Sequence, residues 1–210
     1  MELIEKRELK LDLDPFKAYS FCLIGATRSG KSTMLNHLIQ TYMRQKINIL
    51  MTESPNGEVY RESGFKQDCI LCPGYIPDLI KDCYLINKGT NNRYDFNFIM
   101  DDLVGFRSDK QMKKLLTIYR NSNMGVCITG QTIAILDTSA RFNVNYVFLG
   151  RCNADKQIED ICKQFLASFF PSGMKMVDRI KAYKTITANY HFICIDNIKG
   201  ETFVTKVKTN

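Results

Sequence analysis

The sequence predicts an α/β fold, a mostly parallel central sheet flanked by helices with a C-terminal β-hairpin. Two patterns carry that prediction. Stretches such as Tyr19–Ile24 and Phe96–Met100 are short, nearly continuous apolar runs, as strands covered on both faces require. These runs alternate with helical stretches, the order that builds a parallel sheet with helices packed against it. In such sheets ligands bind at the carboxyl ends of the strands, so polar residues placed where strands stop are the ones to examine.

Residues 1–18 are polar-rich, broken at Asp14-Pro15, and read as an N-terminal arm before a single domain over 19–210. The first strand, Tyr19–Ile24, stops at Gly25. A helix runs to about Arg44, because Met34, Leu35, Leu38, Ile39 and Tyr42 recur at three- and four-residue spacing. Ile47–Met51 is a second strand, stopped by Ser54-Pro55-Asn56-Gly57. Residues 54–93, rich in Pro, Gly and Asn, predict short helices joined by loops. The strand Phe96–Met100 runs into Asp101-Asp102. A helix over 109–121 leads to the strand Gly125–Thr129 and then Gln131. Tyr146–Leu149 is another strand, with a helix over 154–165 behind it. Pro171-Ser172-Gly173 punctuates before a helical piece over 174–184. His191–Ile195 and Thr202–Lys206, joined through Asp196–Gly200, make the hairpin.

Composition bounds the function classes. With 45% hydrophobic and 11% aromatic residues the 210-residue chain is not disordered as a whole. Lys+Arg 29 against Asp+Glu 22 leaves +7, which suits a polyanionic partner without demanding one. No apolar run approaches the ~20 residues of a membrane span, and the charged first residues are not those of a signal peptide. Eight cysteines are scattered, several inside apolar runs, and read as reduced, buried thiols of a cytosol-like compartment. Cys69-x-x-Cys72 has no second pair at zinc-ribbon spacing, and His37 and His191 are isolated, so no metal site is expected there.

Gly25-Ala26-Thr27-Arg28-Ser29-Gly30-Lys31-Ser32 matches G-x-x-x-x-G-K-[ST] and lies between a strand and an amphipathic helix, the context that gives the motif meaning. Glycines allow the backbone to wrap phosphate with its amides turned inward. The helix N-terminus, extending to Thr33, adds a favourable dipole. Lys31 neutralises the β and γ phosphates, and the Ser32 hydroxyl can hold magnesium. A chance glycine-rich turn would lack this combination of strand, spacing and helix. Asp101 at the end of a buried strand is the metal partner of Ser32, and Asp102 beside it can activate water. Two solvated acids capping a strand are the plainer reading of that pair. Gln131 can sense the γ-phosphate and the lytic water; alone, a Gln after a strand would mean little. Asp95 is a weaker candidate because it precedes its strand.

Taken together, the chain resembles the FtsK–HerA superfamily of DNA-pumping ATPases, and within it the poxvirus-type genome-packaging ATPases of large DNA viruses and their satellites. The resemblance rests on Gly25–Ser32, Asp101-Asp102, the stretch Tyr119–Gln131 and the terminal hairpin, which together span roughly residues 19–206. It implies an ASCE/RecA-like P-loop NTPase that hydrolyses ATP with Mg2+ and works as a bare motor domain in a pentameric or hexameric ring. It implies that Arg120 is an arginine finger acting in trans, with Arg141 and Arg151 as rivals; a helix-terminal Arg complementing the macrodipole is the alternative. Many superfamily members carry Asp-Glu where this chain has Asp-Asp, which weakens the role given to Asp102.

The implied partners are double-stranded DNA and viral capsid proteins, with no membrane span, in the host cytoplasm, a virus factory or the virion. DNA would be held through phosphates, because a translocating motor must ignore sequence. Arg107, Lys110, Lys113 and Lys114 are candidates, though a solvated helix face explains them equally well. From Lys163 onward the chain carries eight basic and three acidic residues, a second candidate surface for a pore or a capsid contact. A small nucleotide kinase would need a lid with phosphate-clamping arginines and a nucleoside-monophosphate pocket, neither of which is readable. A non-hydrolysing ATP-binding scaffold is separated from a motor only by turnover.

Overall fold

The computed structural model describes residues 6–14, 17–43, 46–53, 69–101, 103, 109–136, 141 and 143–207. The first half holds β1 (Ser20–Ile24), α1 (Lys31–Tyr42), β2 (Ile47–Thr52), β3 (Ile70–Pro73), α2 (Pro77–Gly89) and β4 (Phe96–Asp101). Then come α3 (Lys110–Thr117), a 3-10 turn (Tyr119–Ser122), β5 (Met124–Gly130), a second 3-10 turn (Ile133–Ile135) and β6 (Tyr146–Leu149). The chain continues through α4 (Asp155–Gln164), α5 (Met176–Ile186), β7 (Phe192–Asp196) and β8 (Glu201–Thr205).

All eight strands form one sheet in the order β3-β2-β4-β5-β1-β6-β7-β8. The pairings from β3 to β6 are parallel, while β6–β7 and β7–β8 are antiparallel. One strand, β5, therefore stands between β1, which feeds the glycine loop, and β4, which ends in Asp101. The hairpin turn is fixed by the Asp196 carboxylate, which accepts the amides of Ile198 and Lys199 at 2.9 and 3.0 Å. The N-terminal arm lies along the β8 edge, where Lys6 bridges Val204 and the Arg7 amide donates to the Val204 carbonyl. Covering an edge strand in this way removes a template for unwanted pairing.

Side-chain alternation divides the core into two layers. Phe21 and Leu23 of β1 point toward Met34, Leu35 and Leu38 of α1, and Leu9 of the arm joins that layer. Cys22 and Ile24 point the other way, into a layer built with Ile80 of α2, Met112 and Leu115 of α3, Ile158 of α4 and Tyr183 of α5. Among the described residues one helix and the arm cover the first face and four helices the second.

Most elements fall within two residues of their expected limits. Two segments differ. The region 54–93 holds a strand, β3, and a 13-residue helix, α2, rather than short helices and loops; residues 54–68 lie outside the described residues. The helix expected over 109–121 ends at Thr117 and tightens into the 3-10 turn, closed by Asn123 in the left-handed region at φ +54°. All eight cysteines are free thiols. Cys69 packs in the α1 layer and Cys72 in the opposite one, so the two thiols of the C-x-x-C pair lie on different faces of the sheet. No helix among the described residues is long and apolar enough to cross a membrane.

Candidate nucleotide site

The glycine loop hangs from both neighbours of β1. The Gly25 amide donates to the Gly130 carbonyl at the end of β5 (3.1 Å), and the Ala26 amide to the Arg151 carbonyl just past β6 (2.7 Å). A side chain at Gly25 would meet the Ser29 hydroxyl at 2.6 Å, so any larger residue there would displace Ser29. Arg28 (φ +60°) and Gly30 (φ +90°) turn the backbone through the left-handed region around Ser29. Ser29 is buried, and its hydroxyl has no hydrogen-bond partner among the described residues. Thr27 and Arg28 form the exposed tip, and Ser32 and Thr33 are exposed on the first turn of α1. Lys31 folds back over the loop, its Nζ donating to the carbonyls of Gly25 (2.6 Å) and Ala26 (3.0 Å).

The N-terminus of α1 differs from those of the other described helices. Its cap residue is Gly30, with no side-chain cap, and no acidic residue lies in the first turn. Each of the other four described helices has an acid at its start: Asp78 in α2, Asp109 in α3, Asp155 in α4 and Asp178 in α5. Those acids complement the helix dipole, whereas the positive end of α1 has no acid of its own beside it and is suited to an anion.

The second wall comes from β4 and β5. Met100 pairs with Ile128, which brings the next residues, Asp101 and Thr129, together at the carboxyl edge. The Thr129 hydroxyl donates to the Asp101 carboxylate, and both residues are buried. Thr129 escaped the sequence reading because a threonine ending an apolar strand looks like an ordinary β-former. Gln131 is exposed one residue beyond Gly130, the residue that anchors the loop, and its carbonyl accepts from the Gln157 amide of α4. Ser32, on the helix that follows β1, and Asp101, at the end of β4, supply hard oxygen ligands of the type magnesium takes. Asp102 lies outside the described residues.

Behind the loop, the Tyr183 hydroxyl donates to the Gly150 carbonyl (2.6 Å), and the Gly150 amide to the Ile24 carbonyl (2.7 Å). This fixes the segment whose next residue, Arg151, holds Ala26. Burial pushes the Tyr183 phenol well above its ordinary range and raises the Cys152 thiol beside it, so both stay neutral.

Arg120 is exposed in the 3-10 turn at the amino end of β5. The seven residues of β5, at roughly 3.3 Å each, put it ~20 Å from the carboxyl edge, so it is not brought to its own loop. Asp95 also lies at the amino edge, where its carbonyl accepts the Ile47 amide at 2.7 Å. Arg141 is committed locally, donating to the Leu136 carbonyl at 2.9 Å and to Gln164. Arg151 is at the loop with its side chain exposed. Lys110, Lys113 and Lys114 lie on α3, while Arg107 lies outside the described residues.

This mixed α/β architecture, with the glycine loop between a central strand and a helix, is that of the P-loop ATPases. Among solved structures it is similar to the DNA-packaging ATPase B204 from Sulfolobus Turreted Icosahedral Virus, at TM-score 0.68 and 14% identity over 92% of this chain and 100% of that one. The genome packaging NTPase B204 from Sulfolobus turreted icosahedral virus 2 in complex with AMPPCP gives TM-score 0.65 at 17% identity, over 93% and 100%. The pCW3 conjugation coupling protein TcpA, in its monomer form with ATPgS, gives 0.58 at 15% identity over 91% of this chain and 60% of its own. No protein-family model and no curated protein matches the chain. At these identities the likeness is one of fold.

Proposed function

We propose that this chain is an ATP-hydrolysing motor of the FtsK–HerA packaging type, moving double-stranded DNA into a preformed viral capsid. The observation that carries the reading is the sheet edge itself. An acid-free helix N-terminus behind Gly25–Ser32 faces the same edge as Asp101, Thr129 and Gln131. The fold likeness to viral packaging ATPases over nearly their whole length supports it, and the poxvirus-type assignment rests on the motif order alone.

In this reading the amides of Gly25 to Thr33 cradle the phosphates, and Lys31 leaves its two loop carbonyls for the β and γ oxygens. Ser32 and Asp101 would hold Mg2+, which neutralises developing charge on the phosphates. Asp102 takes the proton of the attacking water, and Gln131 orients that water against the γ-phosphate. Arg120 lies at the opposite edge of the sheet from its own loop, which suits a group that completes the site of the next subunit in a pentameric or hexameric ring. Arg151, already at its own loop, and Arg141, engaged by Leu136 and Gln164, suit a trans role less. DNA phosphates would meet Arg107, Lys110, Lys113 and Lys114, and the basic stretch after Lys163 would face the pore or the capsid. The motor would work in the host cytoplasm, a virus factory or the virion.

The test is ATP turnover with and without double-stranded DNA. Stimulation by DNA is expected, with loss in Lys31→Ala and Asp102→Asn and, in mixed assemblies, poisoning of wild-type subunits by Arg120→Ala. Simple dilution of activity by Arg120→Ala would remove the trans role. Transfer of phosphate to a nucleoside monophosphate, or turnover unchanged in Lys31→Ala, would overturn the motor reading.

A further inference from the structure

Phosphates seated in Gly25–Ser32 leave the nucleoside end of a nucleotide outside the loop, and nothing in the motif says what receives it. The structure places an aromatic ring beside the loop. Tyr190, in the connection from α5 to β7, has its Cδ1 3.2 Å and its Cβ 3.6 Å from the position a Cβ would take on Gly30. Even so, the residue is 60% exposed. It does not serve the core, yet its position is tightly imposed. Asn189 and Tyr190 both take left-handed backbone, at φ +55° and +63°. That is an uncommon conformation for a bulky side chain and one that persists only where surroundings enforce it. The enforcement is visible on both sides. The His191 amide donates to the Ala188 carbonyl at 3.2 Å, closing the turn. Phe192, the next residue, is buried with its ring against Gly150 and Gly30. β7 begins at the carboxyl end of β6, where Ile193 pairs with Leu149, so Tyr190 stands on the same sheet edge as the loop.

We infer that the Tyr190 ring is the stacking surface for the base of the nucleotide whose phosphates occupy Gly25–Ser32. The inference rests on the phosphate-loop reading above and adds the recognition of the other end of the ligand. A ring face accepts any base face, and larger bases overlap it more. This site therefore separates purine from pyrimidine triphosphates more than it separates adenine from guanine.

The experiment measures dissociation constants of the full-length protein, with magnesium, for ATP, GTP, CTP and inorganic tripolyphosphate. Wild type, Tyr190→Ala, Tyr190→Phe and Lys31→Ala are compared. Tyr190→Ala is expected to weaken ATP and GTP roughly 5- to 100-fold, to weaken CTP less, and to leave tripolyphosphate within about twofold. Tyr190→Phe keeps the ring and should stay near wild type. Unchanged ATP affinity in Tyr190→Ala overturns the inference. So does equal weakening of ATP and tripolyphosphate, which would make Tyr190 a prop for the loop. If wild type binds neither ATP nor tripolyphosphate, or Lys31→Ala binds tripolyphosphate as well as wild type, the phosphate-loop reading fails first and the inference falls with it.

Discussion

Replacing Thr129 by Val tests whether the hydroxyl beside Asp101 holds that carboxylate in place. The change keeps shape and β-branching and removes one donor from a pair in which Thr129 is 5% and Asp101 4% exposed. A hydrogen bond to a charged group contributes about 1.5–3 kcal/mol. A loss of about 2 kcal/mol raises the unfolding constant roughly 30-fold. For a chain of 210 residues it lowers Tm by about 4–8 °C. Urea unfolding followed by circular dichroism reads the change, since the chain has no tryptophan to report by fluorescence. The double-mutant cycle with Asp101→Ala should give a coupling of at least about 1 kcal/mol, and Thr129→Ser should recover most of the stability. A Thr129→Val protein within about 0.5 kcal/mol of wild type, or strictly additive mutations, would refute the role given to this bond.

Other perturbations follow from the same geometry. Gly150→Ala puts a Cβ 2.7 Å from the Phe192 ring, and overpacking there should cost about 1–3 kcal/mol in thermal unfolding. Asp109→Ala removes the acceptor of both the Met112 amide (2.9 Å) and the Tyr75 hydroxyl (2.6 Å). Loss of that cap should cost about 1–2 kcal/mol. Ultraviolet titration of the variant should show Tyr75 ionising at lower pH, because burial and then the Asp109 bond and charge now hold its pKa up. Burial pushes the thiols of Cys22 and Cys83 up to about 12 and about 11. A native-state thiol titration should therefore label Cys69, the one cysteine not fully buried, well ahead of the others. In the unfolded chain those thiols lose protons that the folded state keeps. Their stabilisation is complete below the unfolded thiol value and declines by about 1.4 kcal/mol per group per pH unit as pH rises past it. Denaturation midpoints measured from pH 8 to 10.5 should fall accordingly.

The sequence disclosed what had a period or a motif. Met34, Leu35 and Leu38 marked the buried face of α1, and the continuous run Phe96–Met100 marked a central strand, because burial on both faces leaves no polar alternation. β3 was hidden for the opposite reason. It is a four-residue edge strand with Ile70 half exposed and Pro73 at its end, inside a stretch whose Pro, Gly and Asn content reads as short helices joined by loops. The 3-10 turn after α3 escaped because Tyr119 continues the apolar spacing, and only the left-handed Asn123 shows that the helix has stopped. At the site, residues tied to backbone geometry were legible and their supports were not. Gly25, Lys31 and Asp101 carry local signals. Thr129 and Tyr183 act through neighbours 28 and 33 positions away in the chain, as the pairs Thr129–Asp101 and Tyr183–Gly150 show.

On the phosphate-loop reading proposed above, the acid-free start of α1 makes solution conditions part of the protein's energetics. The other four described helices carry an acid at their start, and on that reading α1 takes its counter-charge from an outside anion. Phosphate or sulfate at 100 times its dissociation constant would add about 2.7 kcal/mol to the folded state without any nucleotide. Comparative stabilities of variants in and around Gly25–Thr33 are therefore meaningful in a chloride buffer. In phosphate the same melting curves would blend folding with ligand occupancy, and a mutation that only spoils anion capture would pass for one that damages the fold.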